Sequence, residues 1–262
     1  MNAFATHDID HLSASSVNLF IAQPALWCAS YLMKMRTAVG PAAHRGTAIE
    51  AGVEAGLFDP ALPVAECQKI AMEKFHSLTR LSADPRIEKE RDMIAPSVEI
   101  ALAELRQYGA PDKPEGEGRQ HKIEITLPGV SVPVVGYLDF KWSQHGIIGD
   151  LKSTARMPSE ISDAHARQGA IYTSSGSNLQ TRMIYVTPKK ICTLLVENVA
   201  DHIASFTRAA QAIENLLSLS NDGEKITRCF APDMSSFYWG DSSARQIANQ
   251  IWGTPPNSAL AA

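Results

Sequence analysis

The stretch from Val135 to Thr154, VGYLDFKWSQHGIIGDLKST, decides how the rest of the chain is read. Together with Val134 it resolves into two short strands around a tight loop. VVGYLDF is rich in β-branched and aromatic residues, HGIIGDLKS is a second apolar run, and Ser143-Gln144-His145-Gly146 has the composition of a turn. Side chains alternate faces along a strand, so Val135, Tyr137 and Asp139 share one face and Ile148, Asp150 and Lys152 share another. A hairpin closed over residues 143 to 146 sets Phe140 opposite Gly149 and Asp139 opposite Asp150. Opposed residues have Cβ atoms roughly 4.5–5.5 Å apart, and like charges held that close repel. A divalent metal between the two carboxylates relieves the repulsion, because hard cations take carboxylate oxygens. A solvated hairpin face or a plain salt bridge with Lys152 is the alternative. Asp is disfavoured in strands, so two of them inside apolar runs call for a reason.

Outward from this hairpin the periodicity changes. On the N-terminal side, PDKPEGEG (111 to 118) reads as a linker. HKIEITL after it alternates, with Ile123, Ile125 and Leu127 on one face and Lys122, Glu124 and Thr126 on the other. Before the linker the pattern is helical. Helices are predicted near Ser13 and Ser15, from Pro24, over Arg45–Glu54 with Glu50 and Glu54 one turn apart, over 63 to 80, and within 86 to 108, where Pro85 and Pro96 punctuate the run. His7 and His11 are four apart, a metal-binding spacing if that end is helical. On the C-terminal side, EISDAHARQGAIYTS reads as a helix with Gln168 and Tyr172 on one face. TRMIYVTP and ICTLLVEN are two further strands, DHIASFTRAAQAIENLLSLS is an amphipathic helix, and SARQIANQIW is a last short one.

The order is helices, three strands, a helix, two strands and helices. That predicts an α/β (α+β) fold, a central mixed sheet flanked by helices with a helical N-terminal region. One domain is expected over residues 1–255, helical over 12–110 and sheet-containing over 119–220, with 256–262 as a disordered tail.

The chain has 262 residues, 45% hydrophobic and 20% charged, enough to bury a sizeable core. A net charge of −4 argues against a protein coated in basic charge, though a nucleic-acid enzyme needs basic residues only along a groove. No apolar run approaches the ~18 residues of a membrane helix, and MNAFATHDIDHL has no secretory pattern, so a cytoplasmic protein without membrane partners is expected. Cys28, Cys67, Cys192 and Cys229 are widely spaced with no CxxC pair, which argues against a zinc site or a disulfide framework.

Taken in order, Ser13-Ala14-Ser15, Arg45-Gly46 with Glu50, Glu124, Gly136-Tyr137-Leu138-Asp139, Asp150-Leu151-Lys152-Ser153-Thr154 and Gln168 with Tyr172 resemble the PD-(D/E)XK nuclease superfamily. The nearest likeness is to the branch that contains the RecB nuclease domain, the CRISPR-adaptation exonucleases and the lambda-type exonucleases. The resemblance runs from about residue 12 to residue 190. It implies a restriction-endonuclease-like core and a metal-dependent exonuclease acting on DNA in recombination, repair or phage DNA metabolism. Asp139 and Asp150 would be ligands of one or two Mg²⁺ or Mn²⁺ ions, with the backbone carbonyl of Leu151 a third ligand. Lys152 would activate water and offset phosphate charge. Glu50 stands where many relatives carry His and lambda-type enzymes an acid, and would ligate metal directly or through water. Glu124 would be a further ligand or a strand-face acid. Gln168 and Tyr172 would line the DNA path, Arg45 would contact phosphate or brace the site, and Arg156, Ser13 and Ser15 would join the DNA surface.

Two departures stand out. Leu138 replaces the proline before Asp139, and Gln23-Pro24 stands where cluster-containing relatives have Cys-Pro, with only Cys229 near the C-terminus. Four thiolates cannot be assembled, so no iron–sulfur cluster is expected. DNA is the implied substrate, with a single-strand annealing or recombination protein or further copies of the chain as partners. The other readings are a non-catalytic DNA-end-binding or assembly protein on the same fold, and a site-specific endonuclease.

Overall fold

A computed structural model describes residues 2–114 and 120–253. Residues 115–118 of the expected linker and the whole of the expected tail lie outside these residues. In chain order the elements are α1 (Ala3–Thr6), α2 (Ala14–Ala22), α3 (Pro24–Tyr31), α4 (Pro41–Phe58), α5 (Val64–Thr79), α6 (Ile87–Asp92), α7 (Ile94–Leu105), β1 (His121–Ile125), β2 (Val134–Leu138), β3 (Phe140–Trp142), β4 (Ile147–Ser153), α8 (Asp163–Thr173), β5 (Gln180–Val186), β6 (Ile191–Leu195), α9 (Val199–Leu217), α10 (Gly223–Thr227) and α11 (Ser242–Trp252). The fold is mixed α and β. The chain forms two compact units, interleaved in sequence: residues 1–38, 124–135 and 203–262 in the first, 39–123 and 136–202 in the second.

In the first unit, helices from both ends of the chain share an apolar core. Ala25 and Leu26 of α3 pack with Trp239, Ala244 and Ala248 near the C-terminus. The Trp239 indole N–H donates to Gln23 Oε1 at 3.2 Å. Ser13 caps α2 in a reciprocal box with Ser16. The condition set for a His7/His11 pair, a helix through both, is not met. α1 ends at Thr6, His7 Nε2 lies 3.0 Å from the Ser220 carbonyl, and His11 Nδ1 lies 2.5 Å from Asp10.

The second unit carries a four-stranded sheet in the order β3-β4-β5-β6, and β1 and β2 form a separate two-stranded sheet. β4 and β5 are parallel, and the other two neighbouring pairs are antiparallel. A parallel pair needs a crossover, which α8 supplies. β4 is buried from Ile147 to Leu151, as a central strand covered on both faces must be. One face carries Ile147 and Leu151 into a core shared with Ile49 and Val53 of α4, Phe75 of α5 and Val98 of α7. Two glycines let α4 sit this close to its neighbours. A Cβ on Gly52 would lie 2.6 Å from the Cys67 carbonyl oxygen, and one on Gly56 2.8 Å from Leu102. The run 86 to 108 breaks at Met93 rather than at Pro96. Pro96 is the third residue of α7, where a backbone N–H would lack a helical partner anyway.

The hairpin closes as expected, with Phe140 paired to Gly149 and Trp142 to Ile147. The long first strand does not run through Asp139, however. It divides there into β2 and β3, because the Asp139 side chain takes a backbone donor: Leu151 N–H donates to Asp139 Oδ2 at 2.8 Å. A carboxylate in place of a carbonyl ends the ladder at this point.

Candidate active site

Asp150 is 1% exposed and lies with Ile148 and Lys152 on the β4 face opposite the Leu151 core. α8 approaches that face closely because Gly169 has no side chain; a Cβ there would lie 2.6 Å from Val196 Cγ2. Ser162 caps the helix, and six residues after the cap Gln168 reaches the strand. Gln168 Nε2 donates to Asp150 Oδ1 at 3.2 Å and to the Tyr172 hydroxyl at 2.8 Å. Gly136 makes room for Tyr172, whose Cε1 would stand 2.9 Å from a Cβ at that position.

Lys152 Nζ lies 2.6 Å from Asp150 Oδ2, yet that oxygen makes no hydrogen bond of good angular geometry; the contact is an ion pair, poorly directed. The second carboxylate, Asp139, accepts from Leu151 N–H and from Gln120 Nε2 at 3.2 Å. Gln120 Nε2 also donates to Glu50 Oε1 at 2.7 Å, which links α4 to the sheet. Glu50 faces the site because Gly52, two residues on and about 200° around the helix, takes the packed side.

The electrostatics follow from the crowding. Burial pushes Asp139 well above the ordinary carboxylate range, and the charges of Asp150 and Glu50 add to the shift. Glu50 is pushed up to about 7 by burial, then by Glu54 and Asp150. Burial alone would lower Lys152, but Asp150 and Asp139 outweigh it and hold the ammonium above its usual value. Tyr172 is raised by burial and by Asp150, so its phenol stays protonated. His165 is lowered by burial and by Lys152, and its Nδ1 lies 2.8 Å from the Tyr185 hydroxyl.

Asp139, Asp150, Lys152, Glu50, Gln168 and Tyr172 therefore come together. Leu151 contributes a backbone N–H to Asp139 here. Of the two roles expected of Arg45, contact with phosphate or bracing the site, its contacts are those of the brace. It is 4% exposed, pairs with Glu90 through Nη1, and donates to Ser153 Oγ at 2.8 Å and to the Ser153 carbonyl at 3.2 Å. It is a brace between α4, α6 and the end of β4. Arg156 is exposed three residues beyond β4. Glu124 is exposed on β1 in the first unit, where Ser13 and Ser15 also lie, with Ser13 Oγ 2.9 Å from Ser15 Oγ. Gln120 and Glu90 carry no sequence signal of their own, since only the fold brings them to Asp139 and Arg45.

Among the described residues, no three His, Cys, Asp or Glu side chains converge closely enough to hold a metal as they stand. Gln120 lies between Glu50 and Asp139, and Lys152 against Asp150. The donor set nevertheless suits a divalent cation. With the three carboxylates ionised, their charge of −3 and the +1 of Lys152 leave −2, the charge such an ion neutralises. Mg²⁺ needs only one or two carboxylates and keeps several waters. The four cysteines are free, Cys28 and Cys67 are buried, and burial pushes the Cys28 thiol up to about 12. No protein-family model and no curated protein matches this chain.

Proposed function

We propose that the chain is a metal-dependent deoxyribonuclease, an exonuclease that hydrolyses phosphodiester bonds during DNA recombination, repair or phage DNA metabolism. The observation that carries this reading is the buried cluster of Asp139, Asp150 and Glu50 around a single lysine, a set that carries two negative charges beyond that lysine once all three carboxylates ionise. Asp139 and Asp150 would hold Mg²⁺ or Mn²⁺, with Glu50 and the Leu151 carbonyl as further donors. A bound divalent ion makes its water more acidic and stabilises charge on the phosphoryl oxygens.

The chain's own residues do the rest. Lys152, held positive, orients the attacking water and offsets charge developing on the phosphate. Gln168 fixes one Asp150 oxygen and leaves the other to the lysine side. Tyr172, kept protonated, orients Gln168 in turn. Arg45 keeps the end of β4 in place. The ordered motif series from Ser13 to Tyr172 supports DNA as the substrate. Among the described residues no helix is long and apolar enough to cross a membrane.

One observation favours a non-catalytic DNA-end-binding or assembly protein instead: Gln120 and Lys152 already link the carboxylates. Incubation with 5′- and 3′-labelled single- and double-stranded DNA in Mg²⁺, Mn²⁺ or EDTA separates the two. Nucleotide release in metal and none in EDTA is expected; binding without release in any metal would leave the non-catalytic reading.

A further inference from the structure

Beside the carboxylates the second unit opens a cavity of about 420 Å³ that the cluster does not use. Ile123 and Leu138 line its apolar side, and His121, Lys122, Lys141 and Ser175 its polar side. Its relation to the cluster follows from the register. Lys141 pairs with Ile148 across β3 and β4, and Ile148 shares a strand face with Asp150. Two residues along a strand span roughly 6.5–7 Å, so Lys141 stands about that far along the same face from the Asp150 position.

Two lysines and a histidine stand on the polar side of the cavity. Among the described residues Lys141 pairs with Asp112, with 4.0 Å between Nζ and Oδ2, and Asp112 is itself occupied with Ser143. The His121 ring donates from Nε2 to the Asp112 carbonyl at 3.0 Å, which fixes the ring and leaves Nδ1 for a second partner. Ser175 sits at the end of the helix that carries Gln168 and Tyr172.

We propose that this cavity is a phosphate-binding subsite, in which Lys122 and Lys141 hold a phosphate of the nucleic-acid strand next to the one presented to Asp139 and Asp150. The subsite rests on the nucleic-acid reading of the cluster. It also explains how a chain of net charge −4 can follow a polyanion, since the positive charge is local.

The test is anisotropy of labelled single-stranded oligonucleotides over a salt series in EDTA, so that binding is read without cleavage. Three oligonucleotides are used, bearing a 5′-phosphate, a 3′-phosphate or no terminal phosphate. Lys122→Ala/Lys141→Ala should weaken binding uniformly across sequences and lower the slope of log Kobs against log[salt] by about 0.7, the value for one phosphate contact on a single strand. Lys69→Ala/Lys74→Ala, which removes the same charge from the exposed face of α5, should leave the slope as in the parent. Equal weakening of all three oligonucleotides identifies an internal phosphodiester, and weakening of one end-phosphorylated form a terminal phosphate; both support the subsite. An unchanged slope and affinity, or the same loss in the α5 variant, overturns it. Failure of the parent to bind any of the three removes the subsite and the nucleic-acid reading together. A slope change in a protein that cleaves nothing with Mg²⁺ or Mn²⁺ keeps the subsite and removes the nuclease.

Discussion

Glu50 and Asp139 are acids that the fold holds against their own ionisation, and this has a measurable sign. An unfolded Glu titrates near 4.3, whereas Glu50 in the fold titrates at about 7. Within that window the unfolded chain binds fewer protons than the folded one, so stability falls as pH rises. Asp139 acts in the same direction. Without divalent metal, the melting temperature of the parent should therefore fall between about pH 5 and about pH 8, and Glu50→Gln should flatten the fall and be the more stable protein at the upper end. Mn²⁺ should stabilise the parent more at the upper pH, where the carboxylates are free to ligate. A parent and a Glu50→Gln variant with parallel pH profiles would show that Glu50 is not strained by the cluster.

Asp150 and Lys152 should fail in different ways. Asp150→Ala removes a proposed ligand, so metal binding by calorimetry should weaken and nuclease activity collapse. Lys152→Ala removes a positive charge beside that site, so metal binding should stay near normal or tighten. Its rate should still drop by about 10²–10³-fold, as when one preorganised electrostatic donor is lost. Wild-type rates in both variants would exclude the hairpin as the catalytic centre. The residues that meet here and were legible in the sequence, Asp139, Asp150, Lys152, Gln168 and Tyr172, are set by short-range spacing on a strand or a helix. Gln120 was not legible, because it stands at the edge of the linker with no period to mark it, and only the fold carries it to Glu50 and Asp139.

Among the elements, α4 is held to the end of β4 by one buried guanidinium. Arg45 spans Glu90 of α6 and both oxygens of Ser153. Glu90 is nearly as buried as Arg45. Breaking a buried pair from one side leaves an uncompensated charge, which costs about 3–5 kcal/mol, whereas replacing both partners with apolar groups is often neutral. Arg45→Met should lower stability by that amount in denaturant titration, and Arg45→Met/Glu90→Leu should recover most of it. A double variant no more stable than the single one would mean that the Ser153 bonds, rather than the charge pair, hold the joint.

The sequence could place Arg45 on a helix ahead of Glu50, but its direction depends on Glu90, which lies 45 residues away. Local pattern gave α5, α8 and α9 closely because their apolar positions repeat within each helix. It could not give the break at Asp139, where a side chain takes a backbone donor twelve residues along the chain.

Across the whole molecule, the chain passes between its two units at residues 38–39, 123–124, 135–136 and 202–203. Composition marks none of these positions, because the units are defined by contacts between distant segments rather than by a change in local character. The consequence is that the first unit cannot be assembled from one stretch of chain. Its core takes Ala25 and Leu26 from the N-terminal segment and Trp239, Ala244 and Ala248 from the C-terminal one, all of them buried. A chain ending at residue 202 keeps every residue of the carboxylate cluster, yet leaves the apolar faces of α2 and α3 without their cover. Such a chain should bind a hydrophobic dye and aggregate. The milder form of the same change is Trp239→Ala in the full chain, which removes a fully buried indole and its bond to Gln23 and should cost about 3–5 kcal/mol. The metal-dependent response of the cluster should survive that substitution below the new melting temperature, since its residues all belong to the second unit. A truncated chain that stays monomeric and unfolds cooperatively would show instead that the helices of residues 2–38 find their own cover, and that the C-terminal segment is dispensable for the fold.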